Sequence, residues 1–428
     1  MRQTLVHLPP EFAGIPVFGC GWLLITWAFL SIGFLIWLIR QHGWNAKTRG
    51  HLPVLLLMAV AIIGLKYIEE KDSLGHVVGL PIRSYGVMVL LGVLSGVWLA
   101  TYRARRMGVD PDKILSLATR MFFFGFLGAR LFYVIEFWDD QFAHDNLRQT
   151  LIAIVNFTEG GLVVYGSLIG ALLAAWLYLR RQKLPILAVA DLIAPSLLLG
   201  LAFGRIGCLL NGCCFGNVCD TPLAITFPRT SSSVQGATES PPFQFQLQSG
   251  QLHGIRVVAD TGGNPVIKHI DPQSPAAAQN LNVGNRLISI NGKSVTSLHE
   301  AHGVFYQLGT DVSLQTEDGK HATWSLAEFP QRTRPVHPTQ IYSSIHAGLL
   351  CLFLLAYYPF RKRDGEVIAL CLTIYPVSRF LLEIIRADEK LTQNLTISQL
   401  VSLLLLGIII AVWTYVLRQP RECVFPPA

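Results

Sequence analysis

The sequence predicts an all-α polytopic membrane protein of about nine transmembrane helices, with a small β-rich module inserted between two of them. Three observations predict it. Charged residues are only 14% and AVILMFWYC residues 51% of 428, whereas soluble domains run near ~25% charged. The charges cluster between long apolar runs instead of scattering. Residues from about 228 to 334 then abandon that pattern for a polar stretch with strand-like alternation.

A helix needs ~20 apolar residues to cross a bilayer. Runs of that kind fall at about 18–39, 52–68, 84–102, 113–138, 160–179, 185–204, 340–360, 365–386 and 397–417. The second is short, and the fourth carries Arg120 and Arg130. Basic clusters set orientation, because Lys and Arg are retained on the cytoplasmic side. Arg40, Lys47 and Arg49 follow the first run, and Arg103, Arg105 and Arg106 the third. Arg180, Arg181 and Lys183 follow the fifth, Arg361, Lys362 and Arg363 the seventh, and Arg418 with Arg421 the ninth. The amino terminus is therefore expected outside and the carboxyl terminus inside, with everything from about 206 to 338 on or beyond the outer face. These clusters account for the net charge of +7, so no nucleic-acid partner is inferred. No short basic stretch leading into a brief apolar segment and a cleavage site opens the chain, so a cleaved leader is not expected.

The insert opens with Thr230-Ser231-Ser232-Ser233. Strands are expected at 254–258, 266–270 and 286–290, the last followed by an Asn291-Gly292 hairpin signal. A short helix around 297–307 and a strand pair near 311–326 complete the unit. The run from Val266 through Asp271-Pro272-Gln273-Ser274-Pro275-Ala276-Ala277 to Asn291-Gly292-Lys293 resembles a bacterial PDZ domain, with Gly284-Asn285 in place of the usual Gly-Asp. Such domains take an extended peptide as an added strand. The resemblance implies an extracytoplasmic peptide ligand, with Gly254 and Ile255 where backbone N–H groups would meet its carboxylate. The plainer alternative is a spacer that has no peptide groove.

Chemistry concentrates in Gly204-Arg205-Ile206-Gly207-Cys208-Leu209-Leu210-Asn211-Gly212-Cys213-Cys214-Phe215-Gly216. A cation at the end of an apolar run costs at least ~2.5–3.5 kcal/mol, so it faces a partner or a water-filled cavity. A guanidinium there can clamp phosphate through two parallel hydrogen bonds; a snorkelling arginine before a glycine-rich turn is the bland alternative. Farther on, Tyr375, Arg379, Glu383 and Arg386 fall within roughly an 80° arc of one helix, a stripe that lipid would not tolerate. Pairing of Glu383 with Arg379 or Arg386 is the purely structural explanation.

Six elements occur in order: Arg83-Ser84-Tyr85-Gly86, Gly128-Ala129-Arg130-Leu131-Phe132-Tyr133, the Gly160-Gly161-Leu162 to Gly170 segment, the 204–216 signature, His337-Pro338-Thr339-Gln340-Ile341-Tyr342, and Tyr375/Arg379/Glu383. Together they resemble the prolipoprotein diacylglyceryl transferase family. The pattern covers roughly 75–228 and 330–420. It divides the chain into an extension (1–70), a first membrane-core part (71–228), the insert (229–334, PDZ-like over about 240–328) and a second core part (335–428).

The resemblance implies transfer of the diacylglyceryl group of phosphatidylglycerol to the thiol of a lipobox cysteine in a prolipoprotein. A thioether forms, glycerol phosphate leaves, and neither metal nor diffusible cofactor is called for. It assigns catalytic roles to Arg205 and Arg379, and among Tyr165, Glu383 and His337. It assigns phosphatidylglycerol contacts to Tyr85, Arg130, Arg205, Asn211, Gly216, Tyr375 and Arg379. Tyr165 stands where many members carry a histidine, and a tyrosine of pKa ~10 is a poor base. The base is thus open between Glu383, His337 and an activated water, with Tyr165 then orienting the head group. Cys208 and Cys213 replace the family's common asparagine and glutamate. Cys208, Cys213, Cys214 and Cys219 crowd one region; a disulfide bracing the loop, free thiols and a metal site are the three states considered.

Two other function classes fit a membrane protein with such an insert. A zinc intramembrane protease needs His-Glu-x-x-His, which the sequence lacks. A scaffold holding client peptides needs no catalytic residues at all.

Overall fold

The computed structural model describes all residues except 1–2, 46–47, 49–51, 72–75, 143–145, 157–160, 230–239, 273, 307–310, 326–329, 388–394 and 426–428. Lys47, Arg49, Gly160, the 230–233 opening of the insert and Gln273 thus lie outside the described residues. By its contacts the chain divides into two units. One holds 1–85, 207–341 and 385–387, the other 86–206, 342–384 and 388–428.

The apolar runs fold as helices. These are α1 (Trp22–His42), α2 (Leu52–Gly64), α3 (Ser84–Arg106), α4 (Pro111–Glu136), α5 (Leu147–Val155), α6 (Val164–Arg181) and α7 (Ile186–Asn211). After α8 (Pro241–Gln248) and α9 (Leu298–Tyr306) in the insert come α10 (Thr339–Tyr357), α11 (Glu366–Ile384) and α12 (Ile397–Arg418). Among the described residues seven helical segments are long and apolar enough to cross a membrane, fewer than the nine runs expected. The difference lies in α2, whose 13 residues give way to a 3-10 turn at Leu65–Ile68, and in α6, whose 18 residues end in two arginines.

In the second unit the helices meet at small residues. A Cβ added to Gly166 on α6 would lie 2.3 Å from the Gly128 carbonyl of α4, so only hydrogen fits there. Ala188, Val189, Leu192, Ala347, Leu354 and Val367 are fully buried in this unit. Its inner face also hides charge. Asp191 on α7 is fully buried and accepts from the backbone N–H groups of Gly365 (2.7 Å) and Ile368 (2.8 Å). Pro195 cannot donate to the Asp191 carbonyl four residues earlier. Arg103 donates there (3.4 Å) and to the Leu192 carbonyl. The Tyr358 ring lies between Arg103 and Arg361, with guanidinium carbons 4.2 and 3.6 Å from its centre. Two members of the basic clusters used for orientation, Arg103 and Arg361, are thus buried partners.

In the first unit, β1 (Thr4–Leu8) pairs antiparallel with β5 (Val77–Arg83). Two short pieces, β2 (Glu11–Phe12) and β3 (Ile15–Pro16), form a hairpin, and β4 (Glu70–Lys71) joins β5 on its other edge. Gln3 accepts from the Ser84 N–H (2.9 Å) through its carbonyl and donates through Nε2 to the Asn211 carbonyl (3.0 Å). The amino-terminal segment therefore packs into the unit that carries the signature loop.

The insert, also in the first unit, follows the strand and helix positions expected. A hairpin of β6 (Ile255–Ala259) and β7 (Pro265–Ile270) stands beside a sheet of order β11-β10-β8-β9. That sheet comprises β8 (Leu287–Ile290), β9 (Lys293–Ser294), β10 (Asp311–Thr316) and β11 (His321–Ser325). Asn291 (φ 49°) and Gly292 (φ 75°) are both left-handed, as a two-residue hairpin turn requires. Phe243, Ile255, Ile267, Leu287, Ile290 and Val312 are all fully buried. Helix α8, which no periodicity announced, contributes Phe243 and Leu247 to this core.

His253 lies inside that core, stacked on Phe305 of α9 at 4.2 Å, with Nε2 2.9 Å from the Leu247 carbonyl. Its Nδ1 is buried without a partner. Burial lowers its pKa from 6.5 to about 4, His302 adds to this, and the Leu247 carbonyl opposes it. The folded insert thus holds the ring neutral while the unfolded chain protonates near 6.5. The resulting stability is full above pH 6.5 and is lost as pH falls towards 4, on the order of 3 kcal/mol in all. Hydrogen-exchange protection of β6 and β7 in the intact protein should fall over that window in wild type. The fall should be smaller in His253→Gln, and equal falls would contradict this role for His253.

Candidate functional site

Helix α11 carries the strongest polar constellation of the second unit. Arg379 Nη1 lies 2.8 Å from Glu383 Oε2, one turn later, and Arg379 Nη2 donates to Ser398 Oγ at 2.9 Å. The other carboxylate oxygen of Glu383 accepts from Thr396 Oγ1 at 3.0 Å. Thr396 is itself the N-cap of α12, in a capping box with Gln399. The stripe is thus stapled to the start of α12. The Glu383 side chain is 1% exposed and that of Arg379 17%, so the carboxylate is sealed in while the guanidinium keeps an accessible edge. With both oxygens engaged, Glu383 is built to orient Arg379. Tyr375 is half-buried one turn earlier. Arg386 departs from the expected stripe: α11 ends at Ile384, and Arg386 lies in an extended bridge with Gly216 in the first unit.

Also in the second unit, Arg205 is half-buried near the end of α7, and Tyr165 is 40% exposed in the first turn of α6. An apolar groove of about 330 Å³ runs between α3, α4 and α7 from Val97 and Phe122 to Gly204, the chain neighbour of Arg205. Arg130 is used differently from the expectation. Its guanidinium donates to the carbonyls of Ala153 (2.7 Å), Ile154 (2.9 Å), Asn156 (2.7 Å) and Gly161 (3.1 Å). It closes the carboxyl end of α5, the favourable place for a cation.

In the first unit the signature turn is locked to the 337–340 segment. Gly216 N–H donates to the His337 carbonyl at 3.0 Å, and the His337 N–H returns to the Asn217 carbonyl at 3.0 Å. A Cβ on Gly216 would sit 2.6 Å from His337 Cβ, which excludes any other residue. Thr339 Oγ1 donates to the Cys214 carbonyl (2.6 Å) and Gln340 Nε2 to the Cys213 carbonyl (2.8 Å). Asn217 pairs with Ile385 and Arg386 through its N–H and side chain. So Gly216 and His337 are brought together, Asn211 ends α7 with its carbonyl held by Gln3, and Tyr85 is 43% exposed just after β5. In the insert, Gly254 N–H already donates to the Gly250 carbonyl at 2.7 Å, and the Ile255 side chain is fully buried.

The structure holds all eight cysteines as free thiols, so the disulfide considered from sequence is not formed. The sulfurs of Cys208, Cys213 and Cys214 lie within 4.8 Å of one another. Cys219 stands apart, its sulfur 3.5 Å from Thr221 Oγ1.

The sequence model of one family, prolipoprotein diacylglyceryl transferase, matches residues 73–415. A phosphatidylglycerol–prolipoprotein diacylglyceryl transferase of Rhodopirellula baltica is 34% identical over 95% of this chain and 87% of its own length. One from Clostridium tetani is 26% identical over 82% of this chain and 99% of its own length. Phosphatidylglycerol–prolipoprotein diacylglyceryl transferase 2 of Clostridium perfringens is 26% identical over 78% of this chain and 90% of its own length. The chain belongs to the prolipoprotein diacylglyceryl transferase family.

Proposed function

We propose that this chain moves the diacylglyceryl group of phosphatidylglycerol to the thiol of a prolipoprotein lipobox cysteine, releasing glycerol phosphate. The observation that carries the reading is 34% identity across 95% of the chain to a relative named for that activity. The Arg379–Glu383–Ser398 arrangement supports it, because the departing group is a phosphate and a fixed, partly accessible cation stabilises that charge as the C–O bond breaks. Arg205 and Arg379 take this role, with Glu383 positioning Arg379. Tyr85, Asn211, Gly216 and Tyr375 contact the lipid head group, and the groove ending at Gly204 takes an acyl chain. Tyr165 orients the head group. The base is one of Glu383, His337 or an activated water; Glu383 is ion-paired with Arg379 and accepts from Thr396. Arg130 acts through the α5 carbonyls it closes.

The chain is read as a multi-pass protein of the bacterial inner membrane with nine crossings. Helices α2 and α6 supply the two beyond the seven, α6 rising about 27 Å. The basic clusters put the amino terminus and insert outside and the carboxyl terminus inside. The domain limits are those stated above, with the insert PDZ-like. Support for the PDZ reading comes from the strand order, the packing of α9 against β6, and an edge of β6 that pairs with no strand among the described residues. A peptide from a prolipoprotein or a maturation partner would add along that edge.

Purified protein with phosphatidylglycerol and a lipobox peptide should form thioether-linked lipid. Arg205→Ala and Arg379→Ala should each lower transfer on the order of 10²-fold or more. Arg→Lys at either position should also impair strongly, because the planar fork is lost. Full transfer by a folded Arg205→Ala protein would sink this mechanism.

The insert holds none of the proposed catalytic residues. Replacing about 240–328 by a short linker should therefore spare transfer to a small lipobox peptide and raise KM for a full-length prolipoprotein. A folded deletion inactive on both would make the insert part of the catalytic architecture, and one active on both with unchanged KM would leave it a spacer.

A further inference from the structure

We propose that Cys208, Cys213 and Cys214 form a three-thiolate zinc site whose fourth position takes the thiol of the incoming lipobox cysteine. The inference rests on the transferase reading above.

The cluster is a consequence of how α7 ends. Gly212 adopts φ 78° after Asn211, its N–H donating to the Leu209 carbonyl (3.2 Å), while Cys213 N–H reaches back to the Cys208 carbonyl (3.0 Å). This pair of bonds is the Schellman ending, which folds the second residue past the helix over the residue five positions earlier. An apolar contact usually fills that spot; here two thiols meet. Cys214 then turns at φ 59°, a left-handed conformation uncommon outside glycine, which brings in the third sulfur. The carbonyls of Cys213 and Cys214 are held by Gln340 and Thr339, so the loop that presents the sulfurs is fixed on both sides.

Three sulfurs within 4.8 Å of one another are close to a tetrahedral set. Zn–S bonds of about 2.3 Å place thiolates about 3.8 Å apart, so closure of about an ångström suffices. Soft thiolates select zinc or cuprous ion. Zinc is the ion that carries three protein ligands with an exchangeable fourth position, whereas closed structural sites use four protein ligands. No fourth cysteine sulfur joins this group, since Cys219 lies with Thr221. Cys208 is buried, but Cys213 and Cys214 are only half-buried, leaving a side from which a substrate can approach.

The reaction needs what such a site supplies. A cysteine thiol of pKa ~8.5 is mostly protonated at neutral pH, and the thiolate is the nucleophile. Glu383, a candidate base, is ion-paired with Arg379 and accepts from Thr396. A thiol bound to zinc is deprotonated outright. The substrate thiol displaces zinc-bound hydroxide, which leaves as water carrying the thiol proton. The thiolate then attacks the glyceryl carbon, the S–C bond forms, and the C–O bond breaks. Its electron pair leaves on the phosphate oxygen of glycerol phosphate; water returns to the zinc and gives up a proton to solvent, restoring the hydroxide, and the zinc stays divalent throughout.

The test uses the full chain purified without chelator from zinc-supplied cells. Wild type should hold about one zinc per chain, and the Cys208→Ser/Cys213→Ser protein less than a tenth of that. Removing zinc from wild type with dipicolinate should lower transfer on the order of 10²-fold, with activity restored by zinc and the residual rate climbing with pH towards ~8.5. In the cobalt-substituted protein, a lipobox peptide should intensify the sulfur-to-cobalt absorption, and its serine analogue should not. Zinc below a tenth of an equivalent, undiminished transfer after stripping, or a cobalt spectrum indifferent to the thiol peptide would each overturn the proposal. So would a Cys208–Cys213 disulfide in the active protein. Transfer by zinc-free protein would leave the transferase reading standing. Zinc with the cobalt response, but no transfer from phosphatidylglycerol, would support the site and overturn that reading.

Discussion

An apolar surrounding offers no water to an exposed carbonyl, amide or charge, so each must find its partner within the protein. That constraint organises the second unit. Asp191 takes two backbone N–H groups, and the carbonyl freed by Pro195 takes Arg103. Arg361 lies against the Tyr358 ring and donates to the Phe425 carbonyl. Arg130 takes three carbonyls at the end of α5 and that of Gly161. Breaking such a buried arrangement by removing one member costs about 3–5 kcal/mol, because the remaining charge is stranded. The network also joins helix to helix: Arg103 ties α3 to α7, and Glu383 ties α11 to α12.

The same rule separates two buried cations from one that keeps some exposure. Arg103 and Arg361 are buried and donate to backbone carbonyls. Arg379 is held by Glu383 and Ser398 among its partners, and its side chain is 17% exposed. A group held rigidly needs little reorganisation when negative charge develops against it.

Much of this was legible in the sequence where the signal is local. The Asn291-Gly292 turn, the strand-like runs at 266–270 and 286–290, and Gly212 and Gly216 of the signature each state a backbone requirement, and each is met. Long-range partners were less legible. The pairing of β1 with β5 is long-range and the bond from Gln3 to Asn211 joins residues 208 positions apart, and nothing in a run such as Thr4-Leu5-Val6 names its partner. Arginine is ambiguous for a physical reason: a guanidinium suits a ligand phosphate and a row of helix-end carbonyls equally well. Arg130 reads like Arg379 until its acceptors are known. Arg386 was misassigned to the α11 stripe because helical periodicity says which residues share a face, not where the helix stops. The thiol cluster needed Gly212 to be recognised as a helix-ending glycine, which brings Cys213 back over Cys208.

The central claim is that a thiol displaces a phosphate from the glyceryl carbon, with C–O rather than P–O or acyl cleavage. Phosphatidylglycerol carrying a heavy-oxygen label in the bridge between the diacylglyceryl carbon and phosphorus tests it most directly. After turnover with a lipobox peptide, the account predicts all the label in released glycerol phosphate and a peptide lipid that resists hydroxylamine. Label retained in the lipidated peptide, or a hydroxylamine-labile thioester, would contradict it.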